Sequence, residues 1–263
     1  NEEGVVSRPL TQRTGAAARA AAARIKRMGM PVAPVILMYH RVVRRDDLPH
    51  PPEPGMWVDA PTFDRQLAFL RKTREIVPLS RIADAVRNGE SLPPRACAVT
   101  FDDGWLDNYT NAFPLLIKHN IPATMFLTSG FVGGGMPFLT ADLWDALHAL
   151  PPDLTPPGWF TPDLAGMIRA LTRTRRREHV IDLCMGHIQT LPMSLRARTV
   201  DYLIQAAGRQ FYERRAMNWG EIREMHNAGI EFGVHTRTHP RFSEMTRDEI
   251  DRVSTSGYAV GYI

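Results

Sequence analysis

Short continuous apolar runs alternate along this chain with apolar residues at helical spacing. Val35-Ile36-Leu37-Met38 is the first run, and it predicts a strand buried on both faces. Pro49, Pro51, Pro52, Pro54 and Gly55 mark a long loop after it. Phe63, Leu67 and Leu70 recur at helical spacing, and Ile82, Ala85 and Val86 predict a shorter helix before Asn88-Gly89. Ala96 to Phe101 reads as a second buried strand, ending in Asp102-Asp103-Gly104. Tyr109 to Lys118 suits a helix, because Pro114 lies early enough in it to be tolerated. Ile121 to Leu127 predicts a third strand, closed by Ser129-Gly130. Trp219, Ile222, Met225 and His226 make a helix face stopped by Gly229, and Ile230 to Val234 is a strand that delivers His235. This rhythm implies an α/β fold with parallel strands and right-handed crossovers.

The rhythm breaks between about residues 137 and 215. Helical patterns (Leu143, Leu147, Leu150; Met167, Ile168, Leu171; Val180, Leu183) are separated there by Pro151, Pro152, Pro156, Pro157 and Pro162. The stretch is too long for a plain loop and is read as a helical insertion. Residues 1–33 form a basic, Ala-rich N-terminal extension ahead of the main domain, 34–263.

Composition narrows the class. With 263 residues, 44% hydrophobic and 23% charged, the chain suits a globular α/β domain. The net charge of +4 comes from two clusters, Arg19-Arg24-Lys26-Arg27 and Arg169-Arg173-Arg175-Arg176-Arg177. No nucleic-acid motif accompanies either, so both are read as solvated helix faces and no nucleic acid is expected as a partner. Cys97 and Cys184 lie far apart outside any ligand pattern and are expected as buried free thiols. No window approaches the roughly 20 apolar residues of a transmembrane helix. No signal peptide is visible, and the chain leaves open an extracytoplasmic or a cytoplasmic location and its oligomeric state.

Polar chemistry concentrates at two strand ends, where parallel α/β folds place their sites. Adjacent Asp102 and Asp103 after an apolar strand would repel unless a cation neutralises one of them. The competing reading is an exposed Asp-Asp-Gly turn. His235-x-x-x-His239 would put two imidazoles on one side of a helical turn. Together Asp103, His235 and His239 make a carboxylate and two imidazoles, a set for one divalent metal ion, with Zn²⁺ the first candidate and Co²⁺, Ni²⁺ or Fe²⁺ also suited. Three protein ligands leave positions open for water and substrate, and Asp102 could accept the proton of an attacking water. Amide or ester hydrolysis is the chemistry that follows. His40, at the end of the first strand, could reach the same face, and Trp105 and Tyr109 could wall a sugar ring; a structural histidine and helix packing are the competing readings.

At this point the sequence resembles the polysaccharide deacetylase family, the NodB-homology domain of carbohydrate esterase family 4. The matching stretches are Ile36 to Val42, Val99 to Gly104, Ile121 to Leu127, Asn218-Trp219 through Gly229, and Gly233 to Pro240. The resemblance implies a distorted (β/α) barrel that removes N-acetyl groups from N-acetylglucosamine-containing glycans. It implies the base role for Asp102 and metal-ligand roles for Asp103, His235 and His239. In the family an Arg-Pro-Gly-type segment, a Trp-bearing strand and a late Leu-His bearing the general acid follow. The chain ends at Ile263 before them, and Ser254 to Tyr258 abandons the helix pattern. Missing C-terminal strands and little activity are therefore expected. The rival readings are a catalytically inactive glycan-binding homologue and a metal-independent barrel glycoside hydrolase, the latter needing two separated carboxylates.

Overall fold

The computed structural model describes residues 33–257, apart from Pro49, Pro51, Thr172, Arg175 and 209–213. The N-terminal extension expected over 1–33 falls outside the described residues except for Ala33, as does the end of the chain, 258–263.

The centre of the fold is β5 (Ala96–Asp103), buried along nearly its whole length. β1 (Val35–Tyr39) pairs with Cys97–Phe101 on one side, and β6 (Thr124–Leu127) pairs with Thr100–Asp103. β7 (Glu231–Val234) pairs in turn with β6. A two-residue β4 (Glu75–Ile76) adds to the start of β5, and all these pairings are parallel. A small parallel pair, β2 (Arg41–Val43) and β3 (Trp57–Asp59), lies apart. Among the described residues the main sheet is therefore an open arc with edges at β1 and β7.

Helices α1 (Ala60–Thr73), α3 (Phe113–His119) and α8 (Trp219–Asn227) cover one face. Phe63 and Leu67 of α1, Leu116 of α3, and Ile222 and Met225 of α8 pack onto Phe101 and Met125 of the sheet. Each is fully buried, worth roughly 1.5–3 kcal/mol per side chain. A short α2 (Leu79–Asn88) packs Ile82 with Val77, Ala96 and Ala98. Its end is set by Gly89, which takes the left-handed conformation (φ 67°) of a helix C-terminus.

β1 corrects the expectation of burial on both faces. Val35, Leu37 and Tyr39 face the core, while Ile36 and Met38 are 52% and 62% exposed. The reason is strand order: β1 is an edge, and no described residue layers over its second face. The strand expected over Ile121–Leu127 starts only at Thr124, since Asn120 is left-handed (φ 49°) and Pro122 has no N–H for the ladder. The helix expected over Tyr109–Lys118 is a π-helical stretch, Asn108–Ala112, running into α3, with Pro114 in its first turn.

The segment between β6 and α8 forms four helices with a core of their own: α4 (Leu139–Ala149), α5 (Pro162–Leu171), α6 (Arg177–Thr190) and α7 (Met193–Ala206). Leu147, Leu164, Ile168, Ile181, Ile188 and Leu203 are among its fully buried members. Arg177 belongs to no solvated face. Its guanidinium donates to the carbonyls of Leu147 (3.2 Å) and His148 (3.1 Å), at the end of α4, where carbonyls lack helical partners and attract a cation. Cys97 and Cys184 are buried free thiols, and burial pushes Cys184 up to about 12.

α8 begins with a reciprocal cap: Asn218 Oδ1 accepts from Gly220 and Glu221 N–H, and Glu221 accepts from the Asn218 N–H. α9 (Arg247–Gly257) continues through Ser254, Thr255 and Ser256, where the polar sequence predicted an end. Serine and threonine cost a helix only a few tenths of a kcal/mol, roughly, and Thr246 and Glu249 bond each other across its first turn. Among the described residues no helix is long and apolar enough to cross a membrane.

Candidate active site

The ends of β5 and β7, separated by β6, bring the two polar motifs together. β5 runs into two successive left-handed residues, Asp103 (φ 75°) and Gly104 (φ 80°), which turn the chain sharply off the strand. A Cβ on Gly104 would press on the Leu127 Cδ2 methyl at 2.8 Å, a side-chain end that can shift, so it is the backbone conformation that favours glycine here. The turn leaves Asp103 5% exposed beneath the histidines.

The histidines do not lie on a helical turn. Residues 235–240 form an irregular loop in which Thr236 (φ 63°) and His239 (φ 52°) are left-handed, and the His239 N–H donates to Thr236 Oγ1 at 3.0 Å. Among the described residues, three of the five non-glycine residues with positive φ are thus Asp103, Thr236 and His239, a concentration of backbone strain typical of functional sites. The segment after β6 holds the loop. Thr128 Oγ1 donates to the His235 carbonyl (3.1 Å), Ser129 N–H to that of Thr236 (3.1 Å), and Gly130 N–H to that of Arg237 (2.9 Å). A side chain on Gly130 would run into the Arg237 carbonyl.

The loop's shape brings His235 and His239 ring centroids to 5.0 Å. Their Nε2 atoms lie 3.6 and 3.4 Å from Asp103 Oδ1. That oxygen is buried and accepts no hydrogen bond. A buried carboxylate oxygen without a donor is costly, which a cation between it and the two rings would relieve. Ligand atoms about 2.0–2.1 Å from a tetrahedral centre stand about 3.3 Å apart, close to the two separations here. One ligand atom from each of the three residues lies within 4.8 Å of the others, so the set could hold one divalent ion.

Asp102 is half-buried beside this set. Burial pushes its carboxyl above the ordinary aspartate range, and the imidazoles of His235 and His40 pull it back. His40 is thus within electrostatic reach of Asp102, and its carbonyl accepts from Asn108 Nδ2 at 2.7 Å.

The other two expected contact residues are corrected. Trp105 is no open wall: it is 3% exposed, and its Nε1–H donates to Asp103 Oδ2 at 3.1 Å. Phe138 stacks on its ring at 3.7 Å between centroids, and the Arg41 guanidinium lies over it at 4.4 Å. Tyr109 turns away, donating its hydroxyl to Glu224 of α8 at 2.8 Å. Both follow from the chain's direction after Gly104, which packs 105–112 against β2 and α8 instead of across the sheet ends.

Sequence reading missed Arg41 and Asp107. Arg41 Nε meets Asp107 Oδ2 at 2.8 Å, and Asp107 Oδ1 accepts from the Val42 N–H at 3.0 Å. The only available signal was an acidic residue inside an otherwise buried segment, four positions after Asp103.

The polysaccharide deacetylase family profile matches residues 89–156 and 196–255, leaving 157–195 unmatched. A 99-residue stretch is 28% identical to YxkH of Bacillus subtilis (strain 168), whose name places it among polysaccharide deacetylases, covering 37% of this chain and 33% of that protein. A 69-residue stretch is 38% identical to the poly-beta-1,6-N-acetyl-D-glucosamine N-deacetylase of Escherichia coli (strain K12), covering 26% of this chain and 10% of that protein. The chain thus matches a third or less of the length of these curated relatives. Among solved structures, the Streptococcus pyogenes deacetylase PplD in complex with acetate superposes with a TM-score of 0.50 at 16% identity, covering 88% of this chain and 68% of that one. That likeness bears on the fold alone.

Proposed function

The chain belongs to the polysaccharide deacetylase family, and from this premise we propose that it is a metal-dependent hydrolase removing N-acetyl groups from N-acetylglucosamine-containing glycans. The observation that carries the reading is the donorless Asp103 Oδ1 facing two imidazole nitrogens. The E. coli relative, named for poly-β-1,6-N-acetylglucosamine, supports a substrate of the same class.

Asp103, His235 and His239 are the residues that would hold the metal, for which Zn²⁺ suits the ligand set and Co²⁺, Ni²⁺ or Fe²⁺ also fit. A divalent cation there supplies Lewis-acid activation of water and of an amide carbonyl. Asp102 accepts the proton of the attacking water at a carboxylate oxygen and is the base. Burial pushes its carboxyl above the ordinary aspartate range, while His235 and His40 favour its ionised form. Trp105 keeps Asp103 Oδ2 occupied, so that Oδ1 is the oxygen presented to a cation.

The test is elemental analysis of the zinc-treated chain beside its Asp103→Ala and His235→Ala variants, with acetate release from poly-β-1,6-N-acetylglucosamine measured in parallel. About one equivalent of metal, lost in both variants, is expected, and what acetate release the chain shows should follow the metal. A folded chain that takes up no zinc would overturn the reading.

A further inference from the structure

A cavity of about 480 Å³ opens beside His239. Its walls come from the loop after β6, from α4, α6 and α7 of the helical module, and from residues 238–245 after β7. Flexible aliphatic and thioether side chains dominate the lining, among them Met136, Leu139, Met185, Ile188, Met193 and Val200. Three of these are left open to solvent among the described residues: Met136 at 37%, Leu139 at 51% and Met193 at 71%. Scattered exposed apolar residues are ordinary, but a group of them around one concavity of ligand size marks a binding site.

The lining chemistry narrows the occupant. Sugar rings are held by stacking on flat aromatic faces, whereas the lining has one aromatic ring, Phe131, besides His239; its polar members include Gln189 and Asp201, and Arg196 and Arg241, which pair with Glu244. Methionine and aliphatic side chains adapt to a flexible hydrocarbon. Position narrows it further. His239 is both part of the lining and one of the imidazoles facing Asp103, so the cavity abuts the candidate metal site through that ring. The wall residues Met185, Ile188 and Met193 fall in the stretch 157–195 that departs from the family pattern. Arg196 of α7 meets Glu244 at 3.1 Å, an ion pair that ties the module to the turn after β7 across the cavity's edge.

We propose that this cavity binds the aliphatic tail of an N-acyl substituent longer than acetyl, so that the site also deacylates amino sugars carrying a medium-length acyl chain. The proposal rests on the hydrolase reading above. In the reaction the amide C–N bond breaks, water oxygen joins the acyl carbon to give the carboxylate, and the amine nitrogen takes up both of the water's protons and leaves as the ammonium.

The experiment titrates the zinc-loaded full chain calorimetrically with acetate and octanoate, the two product carboxylates, and with the methyl and octyl β-glycosides of N-acetylglucosamine. Octanoate is expected to bind at least about tenfold more tightly than acetate, each methylene that enters being worth about fourfold. Ala197→Trp places a bulky ring into the cavity from an exposed position on α7 and should bring the octanoate-to-acetate ratio close to one, with zinc still bound as the sign of an intact fold. Equal affinities for acetate and octanoate would overturn the proposal, and so would a preference that survives Ala197→Trp. A gain seen only for the octyl glycoside would assign the cavity to an aglycone and overturn the acyl assignment. Failure to take up zinc at all would instead sink the metal-site reading and this proposal with it, a result distinct from equal affinities in a metal-loaded chain.

Discussion

Trp105 donates its indole N–H to Asp103 Oδ2 at 3.1 Å, and in doing so determines which oxygen of that carboxylate is left for the histidines. The two residues are neighbours but one in sequence, and the tight turn at Asp103-Gly104 is what lets the ring reach back. The indole is itself held by Phe138 and Arg41, so the carboxylate's orientation is set by contacts from three separate segments.

Trp105→Phe keeps the aromatic packing and deletes the donor. Loss of a hydrogen bond behind a metal ligand typically costs about 10–100-fold in affinity. Zinc affinity measured by competition with a chromophoric chelator should fall by that order while the unfolding midpoint moves little. Unchanged affinity would show that the indole only fills space.

Asp102 and Asp103 should separate cleanly when each is replaced. Asp102→Asn is expected to retain one equivalent of zinc and lose about 10²–10⁴-fold in acetate release, the range for a positioned general base. Asp103→Asn should lose the metal first and activity as a consequence. Paired stoichiometry and turnover measurements decide this, and metal loss in Asp102→Asn would reverse the two assignments.

Gly130→Ala tests the support of the histidine loop. The added methyl meets the Arg237 carbonyl, a backbone atom that can move only by shifting the 235–239 segment. We expect weakened zinc binding in a protein whose far-ultraviolet circular dichroism is unchanged. Wild-type affinity in this variant would mean that the loop adapts without moving its imidazoles.

His148 gives a pH dependence of stability. Its ring stacks on His50 at 4.1 Å with an interplanar angle of 8°, and burial lowers its pKa, as do the charges of His50 and Arg177, against the opposing effects of the Trp144 carbonyl and Asp145. A depressed folded-state value favours the neutral ring in the fold. Its contribution is therefore complete above the unfolded value, about 6.5, and is lost as pH falls through the lower folded value. Denaturant unfolding of wild type and His148→Phe between pH 7.5 and 5 should show wild type losing stability relative to the variant as the medium is acidified. Parallel curves would mean that His148 does not titrate differently in the folded state.

These features differ in how far the sequence reveals them. Asp102, Asp103 and His235 stand out because each ends an apolar run, and strand ends are where a parallel sheet exposes chemistry. The second role of Trp105 has no such signal, since a hydrogen bond back to Asp103 depends on two left-handed residues that periodicity does not encode. The same holds for His239, whose spacing from His235 reads as helical although its own φ is positive. The exposure of Ile36 and Met38 depends on strand order, a property of distant segments, so the apolar run at β1 reads the same whether it is central or at an edge. Arg177 shows the converse case, where an arginine in a basic cluster is drawn to helix-terminal carbonyls brought near by folding.

Asp103 ends β5 and His235 follows β7, 132 positions later, and the chain between them carries the π-helical stretch and α3, then β6, the helical module, α8 and β7. A ligand gripped by both residues closes that whole excursion into a ring, stapled at the one point where its two ends meet. The ion leaves when the chain unfolds, so it stabilises the native state by mass action, and the coupling runs in both directions. Loosening the module against the sheet must weaken the grip on the ligand by the same free energy that releasing the ligand takes from the module.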